Sequence, residues 1–148
     1  KTDTSSQEKL FGEIQNSFLD TNVVVDAVKF REPFVHAIVP IFEMADGGIH
    51  QLIISDLTFV NVAYLTKKGM SLGEWYGLLD ELRSNVQIVT TGETSIDAAL
   101  LLRVKDFEDA VQYFSAKQTA ADCIITRNKK DFYFSDIPVY TPEEFLLK

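Results

Sequence analysis

The chain has 148 residues, 46% of them apolar and 24% charged, enough for one domain with a substantial core that needs neither disulfides nor a metal staple. No apolar run approaches the roughly 18–20 residues of a membrane span. The polar N-terminus lacks an apolar h-region, so neither an anchor nor a secretory leader is expected, and the default location is cytoplasmic. The net charge of −8 argues against broad electrostatic capture of nucleic acid. It leaves room for a protein that meets phosphate through bound cations, and it favours a basic partner.

Residues 1–15 read as a polar lead-in with a short helical turn at 9–15, and 16–148 as a single domain. Ser17-Phe18-Leu19 is an apolar run closed by Asp20, and Val23 to Val25 continue into a helix or loop. Pro33 suits a helix start, Phe34, Ile38 and Ile41 repeat at helical spacing, and Pro40 should kink that helix. Gly47-Gly48 ends it, and 49–54 reads as a short buried strand. Ser55 caps a helix over 57–68 that Gly69 stops. Ser71-Leu72-Gly73-Glu74 is a capping box opening a helix with Leu72, Trp75, Leu79 and Leu82 on its inner face. A strand at 86–89 follows, then a second capping box, Thr90 with Glu93, leading a helix to about 104. Asp106 opens a helix over 107–117, and strands follow at 122–125 and 138–140. Thr141-Pro142-Glu143-Glu144 starts a terminal helix with proline at its first position. Strands alternating with helices predict an α/β fold with a parallel sheet covered on both faces.

Acidic residues fall at strand ends and in first helical turns, where open α/β sheets form their ligand sites. Carboxylates gathered there suit Mg²⁺ or Mn²⁺, and so phosphoryl chemistry. Asp20, at a strand's C-terminal end, can point into the crevice as a ligand with Asn22 to orient it; a turn residue bonding its own backbone is the equal alternative. Asp106, Glu108 and Asp109 crowd into four residues. Asp106 reads as a helix cap. The other two exceed what capping requires, and like charges so close repel unless a cation lies between them. Asp109 is therefore the ligand and Glu108 its support. In the loop from Thr126 to Asp131, Arg127, Lys129 and Lys130 lie beside Asn128 and Asp131, a mixture suited to a phosphodiester held next to a metal, or simply to a solvated turn.

Other signals are structural. Cys123, in Cys123-Ile124-Ile125, reads as a buried inert thiol. His36 and His50 have no partner at zinc-ligand spacing and read as surface residues. There is no GxSxG, Walker A or GxGxxG pattern.

Taken in order, these segments resemble the PIN domain, the metal-dependent ribonuclease fold of VapC-like toxins in bacterial toxin–antitoxin pairs. The resemblance runs from about Ser17 to the C-terminus. It is carried best by Lys105-Asp-Phe-Glu-Asp-Ala-Val-Gln-Tyr, by Ala121-Asp-Cys-Ile-Ile-Thr-Arg-Asn-Lys-Lys-Asp-Phe132 and by the closing Ile137-Pro-Val-Tyr-Thr-Pro-Glu-Glu-Phe145. It implies a three-layer α/β/α fold with a central parallel sheet. Asp20, Asp109 and Asp131 would be the catalytic, metal-binding acids, supported by Asn22, Ser55, Asn61, Glu108, Thr126 and Asn128, with Arg127, Lys129 and Lys130 on substrate phosphates. Ser55-x-x-Thr58-x-x-Asn61 matches the place where the family usually carries Glu; Asn offers a metal only its carbonyl oxygen.

The expected activity is Mg²⁺-dependent RNA hydrolysis leaving 5′-phosphate and 3′-hydroxyl ends. The expected partners are an RNA substrate, a cognate antitoxin that puts a basic side chain into the acidic site, and a second copy pairing through 34–42 or 75–82. Two other readings compete. Asn61 and the acidic charge would suit a PIN-like scaffold acting through binding alone. A haloacid-dehalogenase-like phosphatase would use Asp20 as nucleophile, but Asn22 stands where its second acid belongs.

Overall fold

In a computed structural model, residues 15–48 and 50–148 are described; the expected lead-in up to residue 14 and Ile49, at the start of the expected second strand, lie outside them. The elements run β1 (Asn16–Leu19), α1 (Thr21–Val28), α2 (Val35–Asp46), β2 (Gln51–Ser55), α3 (Asp56–Thr66), α4 (Leu72–Asn85), β3 (Gln87–Val89), α5 (Gly92–Leu102), α6 (Phe107–Gln118), β4 (Cys123–Ile125), β5 (Val139–Tyr140) and α7 (Pro142–Leu146). A 3-10 turn, Lys129–Phe132, lies between β4 and β5. No helix among the described residues is long and apolar enough to cross a membrane.

The five strands are all parallel, in the order β3-β2-β1-β4-β5. Strand periodicity explains the layers. Phe18, Ile53 and Ile124 lie in register on one face and pack with Tyr113 and Ala116 of α6. Leu19, Leu52, Ile54, Cys123 and Ile125 point the other way and meet α1, α2, α3, α4 and α7 through Val23, Ile38, Val62, Leu82 and Phe145. Both faces are thus buried, as apolar runs in parallel strands require. Ala99 of α5 packs on Ala110 and Val111 of α6, completing a three-layer α/β/α sandwich.

Local chemistry sets the boundaries. Ser55 accepts the Thr58 N–H at 3.0 Å and caps α3, which ends at Thr66, two residues before the expected end; Gly69 follows at φ 85°. Ser71 with Glu74, and Thr141 with Glu144, both close as capping boxes. Thr90 with Glu93 does not: α5 begins at Gly92, and the preceding Thr91 donates its N–H and hydroxyl to Asp56. That long-range carboxylate takes over the capping role and ties the start of α5 to the start of α3. Arg103, at φ 57°, ends α5 before the expected 104. Leu72 does not join the inner face of α4; at that helix's first position it is 68% exposed, while Leu79 and Leu82 are buried.

His50 is buried, against expectation. Its Nε2 lies 3.0 Å from Ser17 Oγ and its ring meets Phe145 edge-on. His36 is exposed and pairs with Glu32, and Cys123 is fully buried, its thiol pushed up to about 12 by desolvation. In the segments expected to pair two copies, Val35, Ile38, Ile41, Leu79 and Leu82 are core, while Val39 and Tyr76 are exposed.

Candidate metal centre

The strand order decides where a site can form. From central β1 the chain winds outward to β2 and β3, then crosses to β4 and β5 on the other side. The C-terminal ends of β1 and β4 therefore diverge at a switch point, where a crevice opens. Asp20 directly follows β1 and Thr126 directly follows β4. The Thr126 hydroxyl donates to Asp20 Oδ2 at 2.8 Å across that crevice, and the Thr21 N–H donates to Oδ1 at 2.9 Å. Thr126 Oγ1 also accepts from the Asn128 N–H at 3.0 Å and from Asn22 Nδ2 at 3.5 Å. One donor and two acceptor sites are all a hydroxyl has, so Thr126 is fully committed. Asn22 acts on Asp20 through Thr126 and also accepts the Arg127 N–H at 3.3 Å.

Beneath Asp20 lies a buried polar network that the sequence reading missed. Gln112 is fully buried on α6. Its Oε1 accepts from Ser55 Oγ at 2.7 Å, and its Nε2 donates to Thr58 Oγ1 at 2.7 Å and to Thr21 Oγ1 at 3.1 Å. One amide thus joins the starts of α1 and α3 to α6 and fixes the floor of the crevice. A glutamine three residues after Asp109, and so on the same helical face, was the available signal.

Asp109, in the first turn of α6, is 9% exposed. Its carboxyl is pushed up to about 8, first by desolvation, then by the negative charges of Asp20, Asp106 and Asp131. Asp20 is raised by burial, and partly burial-driven Glu108 is raised further by facing Asp20 and Asp106. Asp106 does cap α6, accepting the Asp109 N–H at 3.1 Å. It does more than cap: one oxygen each from Asp106, Asp109 and Asp131 lie within 4.8 Å of one another. Asp20, Asn22, Asp106, Glu108, Asp109 and Asn128 line one cavity of about 300 Å³, with Arg31 and Leu65 on its rim.

The basic residues divide. Arg127 is spent on structure: its Nε donates to fully buried Asp26 at 2.6 Å and its guanidinium lies over the Phe34 ring at 4.0 Å. Lys129 pairs with Glu144 at 3.1 Å. Lys130 remains exposed beside Asp106 and Asp131. Asn61 is half-buried on α3, one turn before the rim residue Leu65 and so on the same helical face. Among the described residues its side chain makes no hydrogen bond.

Fold and site together define an α/β domain that gathers carboxylates at the switch point of a parallel sheet. A PIN domain family model matches residues 16–130, and the chain belongs to that family. It is similar to Ribonuclease VapC1 of Aquifex aeolicus (strain VF5), 29% identical over 133 residues that span 86% of this chain and 91% of that protein. A toxin–antitoxin complex from Klebsiella pneumoniae contains a chain with TM-score 0.61 and 26% identity, covering 85% of this chain and 97% of its own. VapBC2 from Rickettsia felis, solved with a DNA fragment from its promoter, matches in fold with TM-score 0.62 at 17% identity, over 85% of this chain and 97% of that one.

Proposed function

We propose that this chain is a divalent-metal-dependent endoribonuclease and the toxin of a toxin–antitoxin pair. The observation that carries the reading is the meeting of Asp106, Asp109 and Asp131 within 4.8 Å, two of which, Asp106 and Asp109, line the same crevice as Asp20. Three carboxylate oxygens with no neutralising ion pair among the described residues are a donor set that fits Mg²⁺ or Mn²⁺. Asp106, Asp109 and Asp131 would hold the ion, which supplies charge stabilisation to a phosphodiester and acidifies a water nucleophile. Asp20 is fixed through both oxygens by Thr21 and Thr126, which leaves its other lone pairs for a ligand or a water. Of the three basic residues in the loop after β4, Lys130 is placed to hold a flanking phosphate, whereas Arg127 and Lys129 each already have an acidic partner.

The naming of the Aquifex and Klebsiella relatives supports RNA as substrate and an antitoxin as partner. A groove between α1, α2 and α4, lined by Val28, Val39, Phe42 and Leu78 and rimmed by Glu43 and Glu81, suits the apolar face of a basic antitoxin segment. For a second copy, α3 and α5 offer exposed apolar residues in Val60, Tyr64 and Leu101. A scaffold without chemistry draws no support from the site, because Asp106 restores the negative charge that Asn61 lacks. The test is cleavage of unstructured RNA in Mg²⁺ or Mn²⁺ by wild type, Asp20→Asn and Asp109→Asn. Cleavage by wild type alone, abolished by EDTA, is the expected result; cleavage surviving both substitutions and EDTA would overturn the reading.

A further inference from the structure

Asp106 lines two hollows. One is the crevice floored by Asp20; the other, of about 520 Å³, lies on the far side of the acid cluster. The second is lined by Asp106 and Asp131 together with Lys105, Phe107, Lys130 and Tyr133. Its size is within the roughly 300–1,000 Å³ of small-molecule pockets. Phe107 is 43% exposed and Tyr133 74% exposed. One such ring on a surface means little, but two on the wall of one hollow give a face on which a planar group can lie. Lys105 and Lys130 are exposed, and among the described residues neither forms an ion pair.

We propose that this hollow is a subsite for one unpaired ribonucleotide beside the scissile phosphate, with Phe107 and Tyr133 stacking its base and Lys105 and Lys130 holding its phosphate. The inference rests on the nuclease reading and specifies what that nuclease takes at one end of its site. A base can lie on a ring only if its own face is free, so the segment bound here is single-stranded. The charge balance points the same way. With a net charge of −8 the chain cannot draw in a polyanion by long-range attraction. Affinity has to come from the bound cation, two local lysines and stacking, and stacking tolerates any base because every base has a π-face.

The experiment uses the full chain and a short fluorescent unpaired oligoribonucleotide, intact or with an abasic site placed in turn on each side of the cleaved bond. Cleavage is measured in Mg²⁺ and binding by anisotropy in Ca²⁺, for wild type, Tyr133→Phe and the Phe107→Leu/Tyr133→Leu pair, with circular dichroism to verify folding. At one position the abasic site should weaken wild-type binding and kcat/KM roughly ten-fold, the scale of one base on one ring. The leucine pair should lose the same factor on the intact strand and nothing more on the abasic one, while Tyr133→Phe, which keeps its ring, should retain the roughly ten-fold sensitivity to the abasic site. A leucine pair that cleaves and binds like wild type, with the same abasic sensitivity, overturns the subsite and leaves the nuclease standing. If wild type binds but never cleaves, the nuclease reading fails, and ring-dependent binding still decides the subsite. Competition by a duplex of the same sequence as effective as by the single strand also overturns it.

Discussion

Asp109 makes the metal-free protein pay a pH-dependent penalty that its amide isostere should remove. Its carboxyl, ordinarily near 3.8, is held up at about 8 by burial and by Asp20, Asp106 and Asp131. Between those values the folded state binds a proton that the unfolded state has released. Stability must therefore fall as pH rises through that window, and the loss is complete once Asp109 ionises in the fold. At about 1.36 kcal/mol per pH unit the ceiling is about 5–6 kcal/mol. Asp109 opens on a solvent-lined crevice, where screening weakens like-charge repulsion, so about 2 kcal/mol is the working figure. Asp109→Asn keeps the shape and discards the charge. In EDTA its advantage over wild type should be small near pH 4.5 and reach about 2 kcal/mol at pH 8, roughly 4–8 °C in Tm for a domain of this size.

Thermal unfolding by circular dichroism at half-unit steps from pH 4.5 to 8 reads this directly. Mg²⁺ should narrow the gap at pH 8 and then reverse it, because only the intact acid cluster gains from the ion, by about 1.4 kcal/mol at ten times its Kd and about 2.7 kcal/mol at a hundred times. An Asp109→Asn protein less stable than wild type at pH 8 in EDTA, or a gap that does not vary with pH, would refute the electrostatic argument.

Gln112→Leu should cost about 1–2 kcal/mol in urea unfolding, since it removes three hydrogen bonds and leaves the Ser55, Thr58 and Thr21 hydroxyls only one another as partners; a neutral result would mean that these hydroxyls are satisfied without it. Asp26→Ala should cost about 3 kcal/mol by leaving Arg127 without its buried partner, and Asp26→Leu combined with Arg127→Met should recover most of that. Recovery without effect on RNA cleavage would confirm that Arg127 is structural. Asp106→Asn should keep the α6 cap yet lower Mg²⁺ affinity at least ten-fold, whereas Asp106→Ala should also lose about 1 kcal/mol of stability. Equal metal binding in the Asn variant and wild type, by calorimetry, would remove Asp106 from the ligand set. Cys123 should resist thiol reagents until the protein unfolds, being buried with its thiol pushed up to about 12.

Periodicity and caps were legible in the sequence because they act over a few residues. The strand–helix alternation, the Ser71 box, the helix start at Thr141-Pro142 and the Asp106 cap all appear in the fold. What stayed hidden acts across more than thirty residues. Thr91 is bonded by Asp56, so the local Thr90–Glu93 pattern had a competitor no short window contains. His50 is buried through Ser17 and Phe145, each from a distant element. Arg127 looked like a phosphate ligand because its neighbours are charged, but the deciding residue is Asp26, a lone acid after Val23-Val24-Val25 that could be buried only with a cation brought to it. An isolated charge on an apolar helix face is a demand for a partner, and the loop after β4 was the place to look.

The same reasoning alters what Asn61 means. A neutral side chain in place of the usual acid takes one negative charge from the crevice, and from sequence that reads as weakened metal binding. The fold supplies another acid from a different element. Asp106 spends one lone pair on the Asp109 N–H, but an ionised carboxylate has about four such sites, so capping α6 does not withdraw it from metal binding. The two roles support each other. The cap fixes Asp106 at the head of the helix that carries Asp109, and that brings an oxygen of each within 4.8 Å of Asp131. The three acids that converge thus come from the start of α6 and from the turn after β4. An ion held by these acids would have less need of one at Asn61, and it would lie next to the hollow that Phe107 and Tyr133 line.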